Sequence, residues 1–372
     1  MTAEPQFIGS EIYRHSTYGM RHPLAIPRVS TCIDLCRAMG WLPERQYHDS
    51  PLATDAQLAR FHDPAYIAAL RRAEARQTLT DEEKEKFNLG RNGNPIFPEV
   101  FRRPATASGG SILAAHLSGE AGVVYNPAGG THHGRPGYAS GFCFFNDPAL
   151  CILELLDQGA ERVFYLDVDA HHGDGVQDAF HDRDEVMTLS IHEGGRWPMN
   201  GSGLGELGDR AAGMARNLPV PADFNDSEMD YIMEACVLPL LEKFEADSIL
   251  LQCGADGLAE DPMSRLGLSN GALWRVVSRL KGLAPRLIVL GGGGYNPWSV
   301  GRCWAGVWAV LNGFDIPDRL SDEAEKVLRA LSWRHSKGRN PPDHWMTTLL
   351  DPARSGPVRS EIRHIVSEVL RP

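Results

Sequence analysis

Tyr165-Leu166-Asp167-Val168-Asp169-Ala170-His171-His172-Gly173-Asp174-Gly175 sets three carboxylates and two imidazoles at the end of an apolar run that begins at Val163. Val163 to Leu166 scans as a short buried strand that stops at Asp167. Strand side chains alternate with period two, so Asp167, Asp169 and His171 would share one face if the extended geometry persisted. Carboxylate oxygen and imidazole nitrogen together suit a divalent transition metal such as Zn²⁺. The bland alternative, a strand-to-loop junction with a surface histidine pair, does not call for so many ionisable groups in so few residues.

Three further runs end in the same way. Gly122-Val123-Val124-Tyr125 precedes Gly129-Gly130-Thr131-His132-His133-Gly134, Ser248 to Cys253 precedes Gly254-Ala255-Asp256-Gly257, and Arg286 to Leu290 precedes Gly291 to Gly294 and Tyr295. Helical patterns separate these strands, among them Asn146 to Gly159, about Ser227 to Ala246 and about Ser269 to Leu283. Such alternation predicts an α/β fold with a central, mainly parallel sheet flanked by helices, and ligands in that class bind beyond the carboxyl ends of the strands. The amino-terminal third (22–76) and the part beyond Pro297 read as mostly helical. No linker-like or repetitive tract divides the 372 residues, so a single domain over 1–372 is expected.

The seven cysteines form an odd set without a C-x-x-C pair and fall in apolar stretches, which predicts buried reduced thiols. No signal peptide is evident, and no apolar run approaches the roughly 20 residues that span a bilayer. A cytoplasmic protein with no membrane partner is the expectation. The net charge of −11 argues against nucleic acid and weakly favours a cationic partner.

A catalytic zinc has three protein ligands and an open position, and Asp169, His171 and Asp256 are the natural set. The tandem His132-His133 is then free for proton transfer, each ring needing a carboxylate on its other nitrogen; Asp167 and Asp174 are available for that. Tyr295, on its glycine-rich turn, is placed to donate to the oxygen on which charge develops in a tetrahedral intermediate. Trp304 and Trp308, four apart, read as a helix packing face; His22, His48 and His62 read as surface or internally satisfied histidines; Trp333-Arg334-His335 carries no evident chemistry.

Five segments in this order, G-G-T-H-H-G (129–134), S-G-F-C-F-F-N-D (140–147), Y-L-D-V-D-A-H-H-G-D-G-V-Q-D-A-F (165–180), Q-C-G-A-D-G-L-A-E-D-P (252–262) and G-G-G-G-Y-N (291–296), resemble those of the zinc-dependent histone deacetylases and their bacterial relatives, the acetoin-utilisation proteins and deacetylase-like amidohydrolases. The likeness covers about 10–315, leaving 316–372 as a carboxyl-terminal helical extension, and implies an arginase/deacetylase-like fold. It implies that Asp169, His171 and Asp256 hold one Zn²⁺, with Fe²⁺ as the alternative ion. His132 and His133, backed by Asp167 and Asp174, would act as acid and base, and Tyr295 would polarise the scissile carbonyl. Gly141, Phe142, Trp197 and Gly293 would line the acyl-amine channel, and Arg28 an internal cavity for the acid product. A structural K⁺ or Na⁺ would sit at Asp167, Asp169, His171, Ser190 and Ile191.

The chain departs from related patterns at informative places. Gly173 and Gly254 stand where the dinuclear arginases carry carboxylates for a second ion, which implies one catalytic metal. Gly93 stands where many deacetylases carry a rim aspartate that clamps peptide backbone, and Thr131 replaces a large apolar residue before the tandem histidines, so peptide binding and acyl preference are expected to differ. The implied activity is hydrolysis of an acylated amine, acetyl-lysine first, with acetylpolyamines or another small amide as the alternative and a catalytically silent acyl-lysine binding module as a minor one. Self-association is left open.

Overall fold

The computed structural model describes residues 4–199 and 214–371. Eight strands form one parallel sheet: β1 (Gln6–Gly9), β2 (Tyr47–Asp49), β3 (Gly122–Asn126), β4 (Val163–Asp167), β5 (Val186–Glu193), β6 (Ala215–Val220), β7 (Ser248–Gln252) and β8 (Arg286–Leu290), in the spatial order β2-β1-β3-β8-β7-β4-β5-β6. Every strand of β4, β5, β7 and β8 is buried along its whole length, as both faces of a helix-covered parallel sheet must be. The four strands read from apolar runs are the four neighbours at the centre, β3-β8-β7-β4. Their carboxyl ends therefore open side by side, with Asp167 level with Gln252, and Gln252 with Leu290.

The helices begin where the sequence supplies caps. Asn146 accepts from the Ala149 amide at 2.9 Å ahead of the helix Asp147–Asp157, and Asn296 caps Pro297–Asn312. The latter helix is almost wholly buried; Trp304 and Trp308 pack inward as the spacing predicts, their indole N–H groups donating to the Cys253 and Trp41 carbonyls at 3.2 and 2.8 Å. The helical run Asp226–Phe244 widens into a π turn at Met233–Val237, just before Pro239, which has no amide to give the α ladder.

Residues beyond 315 pack into the main core: Leu320, Leu328, Trp345, Ile362 and Val366 join the cluster that holds Trp298 and Trp308. The fully buried Arg302 guanidinium is held there by Asp351 at 2.6 Å through Nη2 and by the Thr348 carbonyl at 2.7 Å through Nε; losing Asp351 would strand a buried charge, at a cost of about 3–5 kcal/mol. All seven cysteines are buried and free. Among the described residues no helix is long and apolar enough to cross a membrane.

Candidate active site

Asp167 ends β4, and there the extended geometry stops. The alternation expected from the sequence is not what groups the next residues. Instead Asp167 Oδ1 accepts from the Asp169 amide and Asp169 Oδ1 from the His171 amide, each at 3.0 Å, so two successive side chains capture the backbone two residues on and turn it out of the sheet. Asp256, on the loop after β7, is tied across by the Ala170 amide at 2.9 Å. His171 Nδ1 then lies 2.9 Å from Asp256 Oδ2 and 3.3 Å from Asp169 Oδ1, and one ligand atom from each of the three residues falls within 4.8 Å of the others.

The electrostatics of this cluster ask for a cation. Burial raises the Asp256 carboxyl, and the neighbouring Asp169 charge raises it further. Asp169 is lowered despite its burial, because His132, His171 and the Gly293 amide favour its charge. Burial opposes charge on His171 too, yet the two carboxylates lift it to about 10. Two buried carboxylates around one imidazole make a seat for positive charge; a metal ion would take the place of the imidazole proton, and two oxygens and one nitrogen are a donor set that fits a divalent transition metal.

The tandem histidines lie on the loop between β3 and the helix Asp147–Asp157. Buried Asp147 clamps that loop, accepting from the Gly130 and Thr131 amides at 3.0 and 2.7 Å, from Ser111 Oγ at 2.5 Å and from the Thr131 hydroxyl. In the sequence Asn146-Asp147 reads as a helix start and closes the 140–147 segment, with no role at the site assigned to Asp147. His62 braces the same loop: its Nδ1 donates to the Arg135 carbonyl at 3.0 Å and its Nε2 accepts from the Asn146 amide at 2.9 Å. Of the two readings its sequence left open, surface or internally satisfied, His62 is the second: it is buried with both ring nitrogens bonded.

His132 Nδ1 donates to Asp167 Oδ2 and His133 Nδ1 to Asp174 Oδ1, each at 2.7 Å, and the two rings are 3.9 Å apart between centroids. Both Nε2 atoms are thereby left to act toward the pocket. The two pairs differ in their backing. Asp167 is shared with the neutral Tyr165 hydroxyl at 2.7 Å, whereas Asp174 also pairs with the Arg135 guanidinium, which absorbs part of its charge. Burial depresses both imidazoles, but Asp167 and Asp169 overcome it at His132 and lift it to about 9, while at His133 burial and the His132 charge prevail and lower it to about 3. The pair is split into one proton holder and one neutral acceptor.

Above these groups a funnel of about 840 Å³ is walled by Phe142, Trp197, Gly141, Met263 and Tyr295, and reaches His133 and His171. Phe142 and Tyr295 meet edge to face at 6.2 Å, and Trp197 meets His133 at 4.7 Å. Gly292 and Gly294 adopt φ of +131° and +135°, which lets the backbone wrap around the carboxylates: the Gly293 amide donates to Asp169 Oδ2 and the Tyr295 amide to Asp261 Oδ2, each at 2.6 Å. Burial and the nearby Asp256 and Asp169 push the Tyr295 phenol well up, so it stays a proton donor. Deeper lies a void of about 40 Å³ bounded by Arg28, Thr131, His132 and Gly293; Arg28 donates to the Gly292 carbonyl at 2.6 Å and stacks over Trp304. Thr131 reaches this void but spends its hydroxyl on Phe145 and Asp147. Ser190 is level with Asp167 on the neighbouring strand and its hydroxyl contacts His192 Nδ1 at 2.9 Å; Ile191 follows it, buried.

At the rim, Asn92 lines the funnel and Gly93 turns beneath Phe142. Asp147, Asp261, Glu193 and Arg265 all serve this site and were not singled out from the sequence, because their partners lie far away along the chain.

A histone deacetylase domain model matches residues 22–311. "Putative histone deacetylase 2" of Caenorhabditis elegans is 36% identical over 316 residues, which are 82% of this chain and 61% of that protein, so the chain spans less than two thirds of its length. The acetoin utilization protein AcuC of Bacillus subtilis is 34% identical over 327 residues, covering 85% of this chain and 84% of AcuC. Among solved structures, an HDAC homologue from Aquifex aeolicus superposes with a TM-score of 0.93 at 34% identity, over 99% of this chain and 100% of that one; an HDAC homologue complexed with SAHA matches equally well.

Proposed function

The chain belongs to the histone deacetylase family, and from that membership we propose that it is a metal-dependent deacylase that hydrolyses the amide of an acylated amine, acetyl-lysine first. The observation that carries this reading is the pair of buried imidazoles, each held through Nδ1 by its own carboxylate at 2.7 Å, beside a two-carboxylate, one-imidazole cluster at the bottom of an aromatic funnel.

Asp169, His171 and Asp256 would hold the ion, Zn²⁺ or Fe²⁺, which when bound polarises the amide carbonyl and makes water a stronger acid. His133, neutral and nearest the funnel wall, takes the proton from the attacking water. His132, which Asp167 keeps charged, steadies the negative charge that develops beside it, and the proton gained by His133 passes to the leaving amine. Tyr295 donates its phenolic hydrogen to the former carbonyl oxygen. Phe142 and Trp197 clasp the aliphatic stem of the acyl-amine, and exclude water around it. Asp167, Asp169, His171, Ser190 and Ile191 are the proposed seat of a K⁺ or Na⁺ ion that would fix the β4 and β5 ends, and the cytoplasm is the proposed compartment.

The test is release of acetate from a capped acetyl-lysine by the metal-loaded protein, with a chelated sample and His133→Ala alongside. Turnover that survives both chelation and loss of His133 would refute the reading.

A further inference from the structure

The funnel is cationic at its mouth, on a chain whose net charge is −11. Its charged lining residues are Arg196 and Arg265, and among the described residues no aspartate or glutamate lines it. Both arginines are held by one buried carboxylate: Glu193, the last residue of β5, accepts from the Arg265 amide and Nε, each at 2.8 Å, and from Arg196 Nε and Nη2. One carboxylate against two guanidiniums leaves a positive charge, and the Arg265 side chain is 68% exposed, so its outer nitrogens are open to a ligand.

A second cavity of about 790 Å³ adjoins the first, sharing Met263 and Tyr295 with it. Its charged lining residues are Arg21 and Arg334, again with no carboxylate among the described residues, and its floor carries Trp333 stacked on His335 at 4.4 Å. Arg21 and Arg334 have no ion pair among the described residues, whereas the nearby Lys337 and Arg354 are both engaged by Glu260. Two adjacent openings thus present four guanidiniums, two of them clamped in place.

We propose that the part of the substrate left outside the channel is anionic: an acylated lysine bearing its own free carboxylate or acidic neighbours, and not a polyamine. The inference rests on the deacylase reading. Arg265 and Arg196 line the funnel that an acyl-lysine stem would traverse to reach His171, so a carboxylate on the part left outside can accept from them. The further ammonium groups of an acetylpolyamine would meet the same guanidiniums and be repelled. Exposed charge pairs of this kind are worth little singly, but several of one sign at a low-dielectric rim add and also steer encounter.

The experiment compares kcat/KM, on the metal-loaded full chain, for a capped neutral acetyl-lysine, an aspartate-flanked acetyl-lysine tripeptide, acetyl-lysine with a free α-carboxylate, a lysine-flanked tripeptide and an acetylated polyamine. The acidic tripeptide should exceed the basic one by roughly tenfold at low salt, mainly through KM, and the gap should shrink at high salt. Arg265→Glu should close or reverse it while Arg265→Lys keeps most of it; Arg334→Glu, which touches no buried carboxylate, gives the same reading if Arg265→Glu fails to fold. The free-carboxylate arm separates the substrate's own carboxylate from acidic neighbours as the source of the charge. Turnover of the neutral compound with a preference for basic peptide or polyamine would overturn this inference alone. No turnover of any of the five compounds would overturn the deacylase reading and the inference with it. An acidic preference that persists in both glutamate variants would overturn the assignment to these arginines.

Discussion

Gly254 lies so close to Asp169 that any Cβ at Gly254 would overlap the Asp169 carboxylate. Gly173 stands in the same relation to Asp167. These are the positions at which a second ion would need carboxylates, and both are closed to side chains. Elemental analysis should find one transition-metal ion per chain, and Asp256→Asn should lose most of it. Two transition-metal ions per chain would contradict the single site.

Tyr295 should matter to chemistry and not to metal binding, since its backbone is fixed by Asp261 and its ring by Phe142. Tyr295→Phe is expected to lower kcat by about 10²-fold or more with unchanged metal content, the usual effect of removing one oxyanion donor. Near-normal kcat would mean that the phenol points away from the reacting carbonyl.

Gly93 cannot be returned to a rim aspartate without cost. It adopts φ of +81°, and a Cβ there would sit 2.5 Å from Phe142 Cε1. Gly93→Asp should therefore lower kcat/KM for every substrate by displacing Phe142, without conferring peptide preference, and the backbone alone should lose about 1 kcal/mol or more of stability. In the wild type, a capped acyl-lysine should come within about tenfold of longer peptides, because no anionic clamp holds a backbone at this rim. A stable Gly93→Asp protein that favours peptides would reverse this account.

His62 should make the fold acid-sensitive. Its imidazole is buried and must stay neutral to accept from the Asn146 amide, and burial lowers it to about 4. Below about pH 6.5 the unfolded chain takes a proton that the folded one refuses until about pH 4, so this contribution is present above that window and is lost as pH falls through it. The loss amounts to up to roughly 3 kcal/mol. Urea midpoints measured from pH 7 to pH 4 should fall less steeply in His62→Gln than in the wild type, once each is compared with its own value at pH 7; equal slopes would assign the acid sensitivity elsewhere.

Much of the centre was readable along the chain. The apolar runs of β3, β4, β7 and β8 are continuous because both faces of the sheet are covered, and each ends abruptly in residues with chemistry. The flanking strands were not readable: β1 and β2 are four and three residues long, and β6 carries Arg216, Asn217 and Pro219 among its apolar positions. The grouping of Asp169 with His171 was expected for the wrong reason, since side-chain capture of backbone amides, not strand alternation, turns them together.

What the sequence determined by itself is the set of reactive groups and the fold that gathers them, because residue type and local periodicity are properties of neighbours along the chain. What only the tertiary structure decided depends on neighbours in space. Asp167 and Asp169 lift His132 while burial and the His132 charge lower His133, so that two adjacent histidines differ. Phe142 occupies the room a residue 93 side chain would need. Glu193 gathers Arg196 and Arg265 from two loops into the mouth of the site. The net charge of −11 pointed to a cationic partner, yet a sum over the chain has no direction: folding set Arg196 and Arg265 on the funnel wall, where among the described residues no carboxylate lines it, and put Asp169 and Asp256 below them.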